Sequence, residues 1–274
     1  MKNTILLYDD HCPLCVCYTD FFVKTGFLSP EERKAFSSAD ADILSRIDIG
    51  KGMNEIPFVD MSSGKAVYGI DALLEILNRK LPGIKTIGNI NPIKWFLIKL
   101  YKFISYNRKV IVAKKCGPGA IDCAPEFSYF YRILFMAVFL FFNTAMLFAV
   151  HPLLQKLSFY HLSVTGLQAG HFMLVLINCL LATTLPLRKA IDYLGQVNML
   201  ALTCTLLLIP VILLQSFIPS ATLGIYLTGL TIFIFREYLR RMDYLGFLSG
   251  QKWIISLNLA AISFFILYLF NQPL

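Results

Sequence analysis

The chain has 274 residues; 57% are hydrophobic, only 15% carry a charge, and the mean hydropathy is +0.63. An ordinary soluble domain is about 25% charged, so this composition excludes a disordered chain and speaks against a wholly soluble one. The net charge of +8 divides unevenly: residues 1–78 hold 7 basic and 12 acidic groups, residues 79–129 hold 10 and 2, and the remainder 8 and 3. The basic excess is one stretch ahead of the apolar half plus basic loops within that half, which does not describe a nucleic-acid-binding domain. A membrane protein with a soluble head is what remains.

In chain order, residues 4–8 (TILLY) predict a short buried strand bounded by Asp9-Asp10. Cys12-Pro13-Leu14-Cys15 follows, then an apolar-patterned helix through Val23. This order sets the first cysteine at a helix N-terminus, where free N–H groups and the helix dipole favour a thiolate. The second, one turn on, is near enough to attack a mixed disulfide. Half of a zinc site would look the same, so the downstream pattern matters. A weak strand and helix around 34–49 precede Ile56-Pro57, which opens a hairpin of Phe58–Met61 and Ala66–Tyr68 about Ser62-Ser63-Gly64; the helix Ile70–Lys80 comes next. That succession predicts an α/β, thioredoxin-like domain over residues 1–84. In such a domain the X-Pro bond before the third strand is typically cis and faces the cysteines, and X-Pro is nearly the only place a cis bond occurs. Ile56 and Pro57 are then expected to line the substrate groove.

The run Tyr8-Asp9-Asp10-His11-Cys12-Pro13-Leu14-Cys15 resembles the motif Tyr-Asp-Gly-x-Cys-x-x-Cys that opens the DCC family of thiol-disulfide oxidoreductases, named for an Asp and two Cys. Asp9, Cys12 and Cys15 match, and Asp10 stands where the usual form has Gly. Tyr101…Asn107-Arg108 is similar to the family's Tyr-x-x-x-x-x-Asn-Arg ending, so the resemblance covers about residues 4–110. It implies a thioredoxin-like fold and dithiol–disulfide exchange without a cofactor. Cys12 is read as the attacking thiol and Cys15 as the resolving one. Asp9 is a candidate for proton transfer to Cys15, with a turn residue as the alternative, and His11 for support of the thiolate, with an idle loop residue as the alternative.

The other cysteines invite less. Cys17 lies five residues past Cys12, about 500° around a helix, and is expected to point elsewhere as a buried packing residue. Cys116 and Cys123 bracket Gly117-Pro118-Gly119 and could form a second couple or complete a zinc site with Cys12 and Cys15, but their spacing fits neither well, so a conformationally free loop with two thiols, and no metal, is expected. Residues 85–128 form a basic linker. Within it Asn91-Pro92 starts a helix on which Lys94, Lys99 and Lys102 fall in an arc of about 140°, with Trp95, Phe96, Leu100 and Phe103 over most of the rest. That is the pattern of an interfacial helix, lysines toward anionic headgroups and aromatics into the acyl boundary; a helix packed on the head or bundle is the alternative.

Residues 129–274 predict an all-α transmembrane domain. A span takes about 20 mostly apolar residues, and the runs 130–150, 169–187, 194–217, 219–236 and 253–270 give about five, with a tight turn at Pro219-Ser220 and four or six as the alternatives. Lys114, Lys115, Arg132, Arg188, Lys189, Arg236, Arg240, Arg241 and Lys252 fall on one side of such a bundle and only Lys156 on the other. By the positive-inside rule the head is cytoplasmic and the C-terminus outside, as in a bacterial inner-membrane protein; the five residues of the first strand are too few to export the head. Cys179 and Cys204 sit mid-span as packing residues or a dithiol relay. His151, His161 and His171 surround the first outer loop, as an ordinary wet loop or a metal or quinone site.

The expectation is thus a membrane-anchored thiol-disulfide oxidoreductase whose partners are a protein or small-molecule disulfide and the lipid bilayer. Cytosol keeps thiols reduced, so the pair should act as a reductant. The rivals are a transport or electron-relay protein with a thiol-sensing head, and a head that binds zinc.

Overall fold

Thr4–Tyr8 forms β1, and its alternation decides the layering of the head. Adjacent strand residues point to opposite faces, so Leu6 and Leu7, both fully buried, serve two cores. Leu6 joins Phe22 of α1 (Pro13–Lys24) with Ala72 and Ile76 of α4 (Gly69–Leu77); Leu7 joins Phe36, Ile47 and Ile43 of α2 (Ala41–Ser45). In this computed structural model, which describes residues 4–114, 125–158 and 160–270, β1 is central in a four-stranded sheet of order β2-β1-β3-β4. It runs parallel to β2 (Arg33–Ala35) and antiparallel to β3 (Pro57–Asp60), which pairs antiparallel with β4 (Ala66–Tyr68). Helix α1 makes the crossover that a parallel pair requires. The short α3 (Ile49–Asn54) leads into β3.

The Ile56–Pro57 bond is trans, not the cis bond expected: there is no cis peptide among the described residues. Trans is the ordinary preference of an X-Pro bond by about 0.5–1 kcal/mol, and both Ile56 backbone groups are satisfied in it. The Ile56 N–H donates to the Tyr101 hydroxyl (2.9 Å), and its carbonyl accepts from the Gly69 N–H (2.9 Å). Gly69 holds φ +57°, and a Cβ there would meet the Glu55 carboxylate at 3.0 Å, so glycine is required.

Residues past 84 continue the same body. After α5 (Ile84–Gly88), α6 (Asn91–Val112) packs on α1 and α4, and the first compact unit runs to Tyr131. Tyr101, Ser105 and Arg108, spaced i, i+4, i+7 along one face of α6, bond in turn to backbone at Ile56 (2.9 Å), Asn54 (2.8 Å) and Met53 (2.8 Å). Asn107 is fully buried and donates to the carbonyl of Tyr131 (3.0 Å), while Tyr106 stacks on the Tyr131 ring.

The second unit, Arg132–Leu274, is helical. Among the described residues four helices are long and apolar enough to cross a membrane: α7 (Tyr129–Leu154), α8 (Val164–Ala182), α9 (Leu187–Leu213) and α12 (Lys252–Phe270). Large apolar side chains point outward along it, among them Phe141 (77% exposed) and Ile225 (76%), an arrangement suited to lipid rather than water. α10 (Ser220–Tyr244) is also long, but Arg236, Glu237, Arg240, Arg241 and Asp243 occupy its last turns, so it is not among the four. The short α11 (Phe247–Gly250) joins it to α12. Pro219 caps the start of α10, where the tight turn was expected.

Candidate functional site

The site is assembled where β1 ends. The Asp9 carboxylate accepts the His11 backbone N–H (2.9 Å) and the Asp9 carbonyl accepts that of Cys12 (3.2 Å). This turn stops the strand and delivers Cys12 as the N-cap of α1, with Pro13 in the first helical position, where its missing N–H costs nothing. Cys15 lies one turn in. Both thiols are free and buried, at 6% and 5% exposure.

Their protonation is set apart by their surroundings. A hydrogen bond from the Cys15 thiol favours the Cys12 thiolate against the cost of burial. The Cys15 backbone N–H and the Arg108 guanidinium add to it, and Cys12 is lowered from 9.0 to about 6. Cys15 is pushed up instead: it is the donor to Cys12, it is buried, and a Cys12 thiolate repels its charge. One thiol is thus ready to attack while the other keeps its proton.

Behind Cys15 lies a cavity of about 20 Å³, the size of one water, lined among others by Asp9, Tyr18, Ile56, Tyr101 and Arg108. Arg108 sets Nη1 3.8 Å from the Cys15 sulfur and donates from Nη2 to the Met53 carbonyl. Asp9 is 4% exposed, and its Oδ2 has no hydrogen-bond partner among the described residues; neither does Arg108 Nε. Burial pushes the Tyr101 phenol up to about 12 and that of Tyr18 well up, so both remain hydrogen-bond donors.

Of the residues singled out in the sequence, Cys12, Cys15, Asp9 and Ile56 are brought together. Pro57 is buried beside Gly52, where an added Cβ would lie 3.6 Å from its ring. His11 is not in the cavity lining; its Nδ1 lies 3.6 Å from Asp10, which accepts from Ser37 (2.7 Å). Asp9, Asp10 and His11 present ligand atoms within 4.8 Å of one another, but these contacts already occupy Asp10 and one oxygen of Asp9. Cys17 is exposed, not buried as expected: the inward face of α1 is Cys15, Thr19 and Phe22, and Cys17 is about 200° from Cys15. Cys116 and Cys123 lie outside the described residues. His151 is engaged with the Leu162 carbonyl (3.0 Å), His161 is exposed, and neither groups with His171 as a metal site.

On α6, Lys94 turns to Asp71 (2.9 Å) and Asn89 (3.0 Å) of the head, whereas Trp95 (64% exposed), Phe96 and Leu100 are exposed alongside Lys99. Lys102 is half-buried. Arg108, Tyr101 and Tyr18 were not picked out as site residues from the sequence; the Tyr101…Asn107-Arg108 pattern was the signal for two of them. No family model matches the chain, and no curated protein or solved structure is similar to it at a significant level.

Proposed function

We propose that the chain is a membrane-anchored thiol-disulfide oxidoreductase of the DCC kind, with a thioredoxin-like head. The observation that carries this reading is the split pair: Cys12 at a helix N-terminus with its thiol lowered to about 6, and Cys15 beneath it with its thiol raised. The small mixed sheet of four strands, with α1 between β1 and β2 and α4 after β4, supports this reading.

The Cys12 thiolate attacks a substrate disulfide, forming a mixed disulfide and expelling one substrate thiolate, which takes a proton. Cys15 then gives up its proton, with Asp9 across the small cavity as the base, and its sulfur attacks Cys12. The second substrate thiol leaves and a Cys12–Cys15 disulfide remains. Two electrons have passed to the substrate, and an external dithiol must return them. Ile56 lines the small cavity with Cys15 on the β3 side, and His11 directly precedes Cys12 in the turn after β1.

The test uses the full chain in detergent with dithiothreitol as electron source and insulin as the disulfide. Cys12→Ser should bring reduction to background, and Cys15→Ser should attack once and stall with a trapped mixed disulfide. Full activity in Cys12→Ser, or cysteines that react only after zinc is chelated, would remove the reading.

We infer further that α10 is a fifth span. Its stretch Ser220–Phe235 is about 24 Å long at 1.5 Å per residue, and its charged last turns fall on the side of Arg132, Arg188 and Lys189. The head and linker would then be cytoplasmic, with Trp95, Lys99 and Lys102 at the bilayer surface. A reporter active only in the cytoplasm should work when fused after Lys189 and be silent after Leu274; activity at both sites would make the spans four.

A further inference from the structure

The membrane unit contains a chamber of about 520 Å³ that the dithiol chemistry of the head does not use. Its wall takes Leu154, Leu167 and Leu208 from one apolar cluster and Leu194, Val197 and Leu200 from another. Its volume is that of an ordinary small-molecule site. Among the described residues no Asp, Glu, Lys or Arg lines it, so they offer a charged ligand no counter-ion there.

The polar groups in its wall are incomplete in a specific way. Asn143 of α7 is 3% exposed, and neither amide atom has a hydrogen-bond partner among the described residues. The same holds for Nε2 of His171 and for Oδ1 of Asn258. The orientation of Asn258 follows from its neighbours. Asn178 donates to the Leu174 carbonyl (2.8 Å), which leaves its own oxygen as acceptor, and Asn258 donates to that oxygen (2.5 Å). The Asn258 carbonyl is therefore the unpaired end. The unpaired atoms comprise an amide donor on Asn143 and two amide acceptors. Groups buried in this state cost more than a made hydrogen bond returns. A head that only accepts would leave both carbonyls unpaired, whereas a hydroxyl donates and accepts.

We propose that this chamber binds a neutral, lipid-soluble molecule with a hydroxyl-bearing head, its apolar body among the leucines and its hydroxyl at Asn143. A prenyl alcohol and a reduced quinone are two sources of that chemistry. Cys204 lines the same chamber and is half-buried, so it reports occupancy.

The full chain in detergent, retaining Cys204 as its only cysteine, is labelled with N-ethylmaleimide in the presence of farnesol, farnesyl methyl ether, or a short-chain ubiquinol held reduced. Farnesol, ubiquinol or both should slow Cys204 labelling saturably, and the protected arm names the source. The methyl ether, which accepts but does not donate, should protect only at about fivefold to tenfold higher concentration, the worth of one neutral hydrogen bond. Asn143→Ala should erase that difference; should this variant not fold, His171→Phe should weaken protection by farnesol instead. Equal protection by alcohol and ether would reduce the chamber to an unselective apolar void. Absence of protection by all three would overturn the site.

Discussion

Arg108 in the head and Arg132 and Arg241 in the membrane unit are all nearly fully buried, at 9%, 5% and 3% exposure, yet they are balanced differently. Arg132 lies 3.5 Å from Asp192, and Arg241 lies 2.8 Å from Glu237 and donates to Gln196 (2.6 Å). Among the described residues Arg108 has no carboxylate within ion-pair distance; it has one backbone carbonyl and the Cys15 sulfur. A buried cation without an anion is costly. In the membrane unit that cost is offset by acids in the sequence. In the head it is offset by the cysteine pair and, without direct contact, by Asp9 across the same cavity, so a charge that is costly to bury is one that favours the thiolate.

The comparison breaks if the arginines prove interchangeable. The largest effect expected is on folding: Arg132→Met removes the nearer of two cations that face Asp192 and should destabilise the membrane unit by about 1–3 kcal/mol, less than the cost of halving a fully buried pair because Asp192 is part-exposed and Arg188 remains near it. Thermal unfolding of the chain in detergent measures it, and Cys12 reactivity should not change. Arg108→Gln should do the reverse. It should raise the Cys12 thiol and slow iodoacetamide alkylation at pH 6 by about fivefold, with Arg108→Lys recovering part of the rate. Unchanged alkylation in Arg108→Gln would show that Cys15 alone activates the pair.

A further effect is on pH. Cys12 titrates near 6 in the fold against 9.0 unperturbed, so the unfolded chain binds the extra proton between those values. The stabilisation from this thiolate is complete above about pH 9 and is lost as pH falls through 6. Melting temperature should rise across that window, and the rise should vanish in Cys12→Ser. The opposite shift of Cys15 acts only above pH 9, where the unfolded thiol begins to ionise.

Much of the head was legible because its signals are local. The β-branched run of β1, the Cys-Pro-Leu-Cys start of α1 and the Ser62-Ser63-Gly64 turn each specify their own conformation. β2 was only faintly visible, since three residues (Arg33–Ala35) show no alternation and pair solely because β1 is there. The membrane helices were found with shifted ends. α9 begins at Leu187, not 194, because Arg188, Lys189 and Asp192 mask its first turns in an apolarity scan. α8 ends at Ala182, not 187, because Pro186 interrupts a run that hydropathy carries through. The site was half legible. Cys12, Cys15 and Asp9 are neighbours in sequence, whereas Arg108 reaches them from 93 residues beyond Cys15, and no spacing rule joins positions so far apart.

That distance has a temporal side. At a synthesis rate of about 5–20 residues per second, the ribosome needs roughly 5–20 s after making Cys15 to add Arg108. Until α6 has been made and has docked on residues 53–56, the nascent chain carries Cys12 without the guanidinium that helps lower its thiol. The Cys12 thiol is therefore least acidic while the chain is unfinished, and the lowering that Arg108 contributes arrives only when the helix that completes the head docks.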